Sequence, residues 1–168
     1  MLPGIEVSTH DGHLLALFAP DRLTDLEGFA NPANLKLTAI SETEQRSTRA
    51  MLDLVDEINA RGGLAIPAHV DAAAGINDKL RPVELAELLA SPALAGLEFH
   101  RQDALETWFT DQDTDAHRLA AWKARQNIAE LCERGLARLM SSDAHSVARG
   151  HEKVPSCGHE EVPTSRLT

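Results

Sequence analysis

The residues best able to do chemistry in this chain fall into four short groups. Ser142-Asp143-Ala144-His145 follows the apolar pair Leu139-Met140 and sets a carboxylate and an imidazole two residues apart. In extended backbone, residues so spaced point to one face, so both side chains reach a common site. Gly4-Ile5-Glu6-Val7-Ser8 carries a glutamate. Gly12-His13-Leu14-Leu15-Ala16-Leu17-Phe18 opens with a histidine, and Leu64-Ala65-Ile66-Pro67-Ala68-His69 ends with one. Zinc, manganese and iron take imidazole nitrogen and carboxylate oxygen together. Glu6 and Asp143 suit bridging or charge-balancing positions, and His13, His69 and His145 suit neutral ligands. A two-metal centre of this kind activates water and clamps the oxygens of a phosphate ester. The expectation is a divalent metal centre in which Glu6 and Asp143 serve catalysis through the bound metals. Glu98, ending another apolar run, is expected to orient a metal-bound histidine from behind.

Taken singly, each residue has a plainer explanation: a histidine at a strand end is usually solvated, and a strand glutamate usually faces water. Their joint placement on strands is what points to a metal. His10, His100 and His117 read as surface residues, and Trp108-Phe109 as core or lid packing. Cys157-Gly158-His159 with His151 lacks a second ligand pair for zinc. Ser141 and Ser142 lack the glycine pattern of a nucleophile elbow, and no phosphate-loop motif occurs.

The elements that must position these residues follow from the sequence pattern. Residues 5–9 and 13–19 read as strands, and Asp11-Gly12 between them signals a hairpin. Residues 20–40, punctuated by Pro20, Gly28 and Asn31-Pro32, receive no long element. Ser41 with Glu44 forms a capping box for a helix whose buried stripe is Met51, Leu54, Val55 and Ile58. Gly62-Gly63 ends it. Strands over 64–67, 96–99 and 137–140 alternate with a short helix from Pro82 and a long one over roughly 115–134 capped by Asp113 or Thr114. Leu119, Trp122, Ala129 and Cys132 are its expected inner side. This alternation is that of an α/β protein with parallel pairing, in which ligands bind at the carboxyl ends of strands.

At 168 residues the chain suits one domain with a real core. A net charge of −10 argues against non-specific binding along nucleic-acid backbone, which needs a positive surface. The two cysteines, Cys132 and Cys157, make no disulfide framework, so a cytoplasmic setting is expected. No apolar run is long enough to span a bilayer, so no membrane partner is expected.

Taken together, Gly4-Ile5-Glu6-Val7-Ser8, Gly12-His13-Leu14-Leu15-Ala16, Ile66-Pro67-Ala68-His69 and Ser142-Asp143-Ala144-His145 resemble motifs of the PHP domain. That is the polymerase and histidinol phosphatase superfamily of metal-dependent phosphoesterases. The resemblance covers roughly residues 2–147 and implies a distorted β/α barrel with metals at its C-terminal mouth. It implies that Glu6 bridges two metals, that His13 and His69 complete one metal's protein ligands, that Asp143 binds the neighbouring metal and His145 a third. The family's opening His-x-His strand and the histidine-bearing strand after it have no counterpart before Gly4. The implied fold is therefore a partial barrel lacking its first strands, over residues 1–147, with an irregular or disordered tail at 148–168. Its open edge calls for a partner chain or a second copy. The implied function is hydrolysis of a phosphorylated small molecule, a nucleotide or a nucleic-acid end, impaired by the missing ligands. The alternative class is a non-catalytic metal-binding or interaction module derived from such a domain.

Overall fold

The computed structural model describes residues 2–40 and 45–141. Asp143, His145 and the 148–168 tail lie outside the described residues. The chain begins with a hairpin, β1 (Gly4–Thr9) and β2 (Gly12–Leu17), paired antiparallel with Thr9 opposite Gly12. His10 and Asp11 make the two-residue turn, and Gly12 supplies the positive φ of 122° that closes it.

A 3-10 turn (Pro20–Arg22) leads into α1 (Leu23–Ala30), α2 (Pro32–Leu35) and a small hairpin of β3 (Leu37–Ala39) and β4 (Gln45–Ser47). Helix α1 departs from the expectation of no long element. It lacks a side-chain cap and contains Gly28, but Phe29 is fully buried and anchors it to the core. Ser41 and Glu44, the expected capping box, lie outside the described residues, and the helix does not start directly after them. Residues 45–47 are strand, and α3 (Met51–Ala60) begins after Ala50, which has no side-chain cap. The cap comes from elsewhere: Asp11 Oδ2, in the β1–β2 turn, accepts from Met51 N at 2.8 Å. Met51, Leu54, Val55 and Ile58 are all buried, as the stripe predicts, and Gly62, with φ of 75°, turns the chain out of the helix.

Strand β5 (Leu64–Pro67) then pairs with β2, antiparallel, giving the sheet order β1-β2-β5. Helices α4 (Ile76–Lys79) and α5 (Pro82–Ala90) lead to β6 (Gly96–Phe99). Helices α6 (Gln102–Thr107), α7 (Ala116–Gln126) and α8 (Ala129–Arg134) lead to β7 (Ala137–Met140), parallel to β6. The expected parallel pairing thus holds for β6–β7 and for a single parallel bridge, Ala65 to Leu94, between the β5 and β6 regions. It fails for β2 and β5, which pair antiparallel, while β1 and β2 form the expected hairpin. The fold is mixed α/β, and no sheet closes into a barrel among the described residues.

The expected long helix over 115–134 is two, α7 and α8, separated at Asn127-Ile128, and its cap is Asp115, which accepts from His117 N and Arg118 N. Its inner face is also rotated. Arg118, Ala121 and Arg125 are buried, whereas Leu119 and Trp122 are half-buried and Cys132 is exposed. Both arginines are buried with partners for their terminal nitrogens, while the buried Arg125 Nε makes no hydrogen bond among the described residues. Arg118 forms a bidentate pair with Asp113, and Arg125 donates to Leu89 O (2.9 Å) and Gly135 O (2.6 Å). Burial lowers the Arg125 pKa by disfavouring its charge.

The core runs under both strand groups, from Val7, Leu14 and Phe18 through Phe29, Leu54 and Ile58 to Leu97, Phe99 and Phe109. Full burial of each such side chain contributes about 1.5–3 kcal/mol.

Candidate metal centre

Alternation along β1 and β2 puts Val7, Thr9, Leu14 and Ala16 in the interior and Glu6, Ser8, His13 and Leu15 on the opposite face. Glu6 stands across from Leu15, and Ser8 across from His13, so Glu6 and His13 are diagonal neighbours on one face. His13 Nδ1 lies 2.6 Å from Glu6 Oε1.

His69 arrives differently. Ala68 N donates to His13 O at 2.9 Å, which continues the β2–β5 ladder one residue beyond Pro67. Simple alternation would turn the next side chain to the core side, with Leu14 and Pro67. Instead His69 takes a φ of 33°, in the left-handed region. Its ring meets His13 edge-on, with 4.8 Å between centroids. The strained residue is thus the one whose re-aimed ring completes the group, a conjunction common at functional sites.

One oxygen of Glu6 and one nitrogen each of His13 and His69 lie within 4.8 Å of one another. A carboxylate and two imidazoles in that compass suit zinc, manganese or iron, so the cluster can hold a metal ion. Because β2 runs antiparallel to both neighbours, its start, the end of β5 and the second half of β1 meet at one edge. Strand β6 brings further groups to that edge. Glu98 Oε2 accepts from His69 N at 3.0 Å and lies 4.0 Å from His69 Nδ1, so it holds His69 through the backbone. Val70 N donates to Glu98 O at 2.9 Å, and Ser141 N, past the end of β7, donates to Phe99 O at 3.1 Å.

Two residues of this edge escape a reading of the sequence. His100 is half-buried and stacks on His69 with 5.2 Å between ring centroids, which corrects its placement on the surface. Asp71, its side chain fully buried, accepts from His100 N (3.0 Å) and Arg101 N (2.8 Å), joining the loop after β5 to the loop after β6. Both had a signal available. His100 follows its strand as His69 nearly follows its own, and Asp71 sits two residues beyond His69. His117 is exposed as expected, and Trp108-Phe109 packs, with Phe109 fully buried.

The loops at this edge are pinned by one ionic group. Arg118 pairs with Asp113, donates to Asn77 Oδ1 at 3.1 Å beside the loop after β5, and lies 3.8 Å from the Trp108 ring centroid. Glu6, His13 and His69 are therefore brought together with Glu98 behind them, while Asp143 and His145 lie outside the described residues. The chain matches no family model, no curated protein and no solved structure in the comparisons made.

Proposed function

We propose that the chain is a metal-dependent phosphoesterase of the PHP type. In this reading Glu6, His13 and His69 hold one ion, and Asp143 and His145 contribute further ligands. The observation that carries it is the convergence of Glu6, His13 and His69 from three strands at one sheet edge. A divalent ion there, zinc, manganese or iron, supplies the charge that acidifies a water and neutralises phosphoryl oxygens. Glu6 balances that charge and aims His13. Glu98 fixes the main chain of His69, and the His100 ring limits how far the His69 ring can turn. Ser141, two residues before Asp143, already lies at this edge. A partial, distorted β/α barrel is the ancestral architecture in this reading.

The test is hydrolysis of p-nitrophenyl phosphate by the full chain loaded in turn with zinc, manganese and iron. Chelator-sensitive turnover, lost in Glu6→Gln and His69→Ala with the fold intact by circular dichroism, is the expected result. Stoichiometric metal binding with no turnover on any metal would replace this reading with a non-catalytic metal-binding module.

A further inference from the structure

Beside His13, at the hairpin end of β1 and β2, the fold leaves a cavity of about 90 Å³. His10, His13, Arg46 and Lys79 line it, together with Thr9, Gly12 and Ala74. The chain carries a net charge of −10. Yet the lining holds two cations and two imidazoles, and no carboxylate among the described residues. Such a local reversal of sign draws anions.

Arg46 supplies the second observation. Its Nε is buried and makes no hydrogen bond among the described residues. A buried donor left unmatched is costly, and native structures retain one chiefly where a water, an ion or a ligand answers it. The guanidinium presents its N–H groups in a fixed planar fork that matches tetrahedral oxyanions.

Arg46 is also held firmly. It sits on β4 opposite Thr38, next to the buried Ser47, whose hydroxyl donates to Leu35 O at 2.5 Å. The following Arg49 is paired with Glu57 on α3. The cavity is far smaller than the roughly 300–1,000 Å³ pockets that enclose whole small molecules. Its volume suits a single oxyanion group.

We propose that this cavity is an oxyanion subsite in which Arg46, with Lys79 and His10, binds the phosphoryl group of a small phosphate ester beside Glu6, His13 and His69. Its catalytic meaning rests on the phosphoesterase reading, but anion binding itself requires no metal. Because His13 belongs to both the cavity wall and the metal cluster, a phosphoryl group held by Arg46 faces that cluster directly.

Inorganic phosphate is the probe. It is titrated into the metal-free full chain by calorimetry and followed by phosphorus NMR. The wild-type chain and His69→Ala should bind it alike. Arg46→Gln should bind roughly tenfold or more weakly, the loss expected for a charge-assisted bond. Lys79→Gln, on an exposed position that cannot unfold the core, should weaken binding to a smaller degree. Both variants should keep wild-type metal content. Absence of phosphate binding by the wild-type chain, or unchanged binding in Arg46→Gln and Lys79→Gln, overturns the proposal. Failure of the phosphoesterase reading alone would look different, with phosphate bound and neither metal nor turnover found.

Discussion

His13 Nδ1 and Glu6 Oε1, on neighbouring strands, lie 2.6 Å apart across the exposed face of the hairpin. Ligands bind metal in their deprotonated forms. Metal uptake is therefore expected to release protons. Calorimetry in buffers of different ionisation enthalpy measures that release. Glu6→Gln, which keeps a hydrogen-bond acceptor but loses the charge, should no longer bind stoichiometrically.

His69 separates strain from ligation. Its φ of 33° is cheap for glycine and costly for alanine. His69→Gly should be more stable than His69→Ala by about 1 kcal/mol in chemical denaturation, the reverse of the usual order, while both lose metal. Equal stabilities would show that the backbone is not held in this conformation.

The residues behind the cluster should act at a distance. Removing Asp71 strips acceptors from His100 N and Arg101 N. Asp71→Ala should cost roughly 1–3 kcal/mol of stability, because two hydrogen bonds to its carboxylate are lost. Glu98→Ala releases the main chain of His69 and should weaken metal binding by roughly 10–100-fold, as loss of an outer-shell partner does.

Arg118 and Asp113 test whether the loops depend on a buried charge pair. Both side chains are shielded from solvent, and two hydrogen bonds of 2.8 and 2.9 Å join them. Asp113→Ala leaves a buried guanidinium uncompensated and should destabilise by about 3–5 kcal/mol. Adding Arg118→Met should recover part of that loss in a double-mutant cycle.

Glu57 sets an acid limit on the hairpin that carries Arg46. Burial raises its pKa, but hydrogen bonds from Arg49, Arg61 and Asn34 outweigh burial and hold the carboxyl below its ordinary range. A carboxyl depressed in the folded state stabilises fully above its unfolded pKa, and the contribution is lost as pH falls through the folded value. Thermal stability should therefore fall on acidification below the ordinary carboxyl range. Glu57→Gln should be less stable at neutral pH and show a shallower decline.

What could be read from the sequence was whatever local pattern dictates. Asp11-Gly12 specified a hairpin, the stripe from Met51 to Ile58 specified a buried helix face, and Gly62 ended it. The cluster of Glu6, His13 and His69 was legible because each sits on or just after an apolar strand, where a polar side chain needs a reason. What escaped depended on contacts distant in sequence. Asp11 caps α3 from the hairpin turn, so the local capping signal at Ser41 misled. Arg118 and Arg125 are buried because Asp113, Leu89 O and Gly135 O answer them, which hydrophobic periodicity cannot register. The antiparallel placement of β5 against β2 depends on the path through α1, α2 and the β3–β4 hairpin, most of it too short to show a period. The ring of His69 reaches the cluster through one left-handed backbone angle.

The most direct test of the account is a cobalt(II) titration of the full chain, followed through the visible absorption of the bound ion. A saturable spectrum with at least one equivalent bound, abolished in Glu6→Gln and in His69→Ala, is the expected result. A chain that shows no saturable binding, or whose spectrum survives both substitutions unchanged, would contradict the assignment of Glu6, His13 and His69 as a metal site.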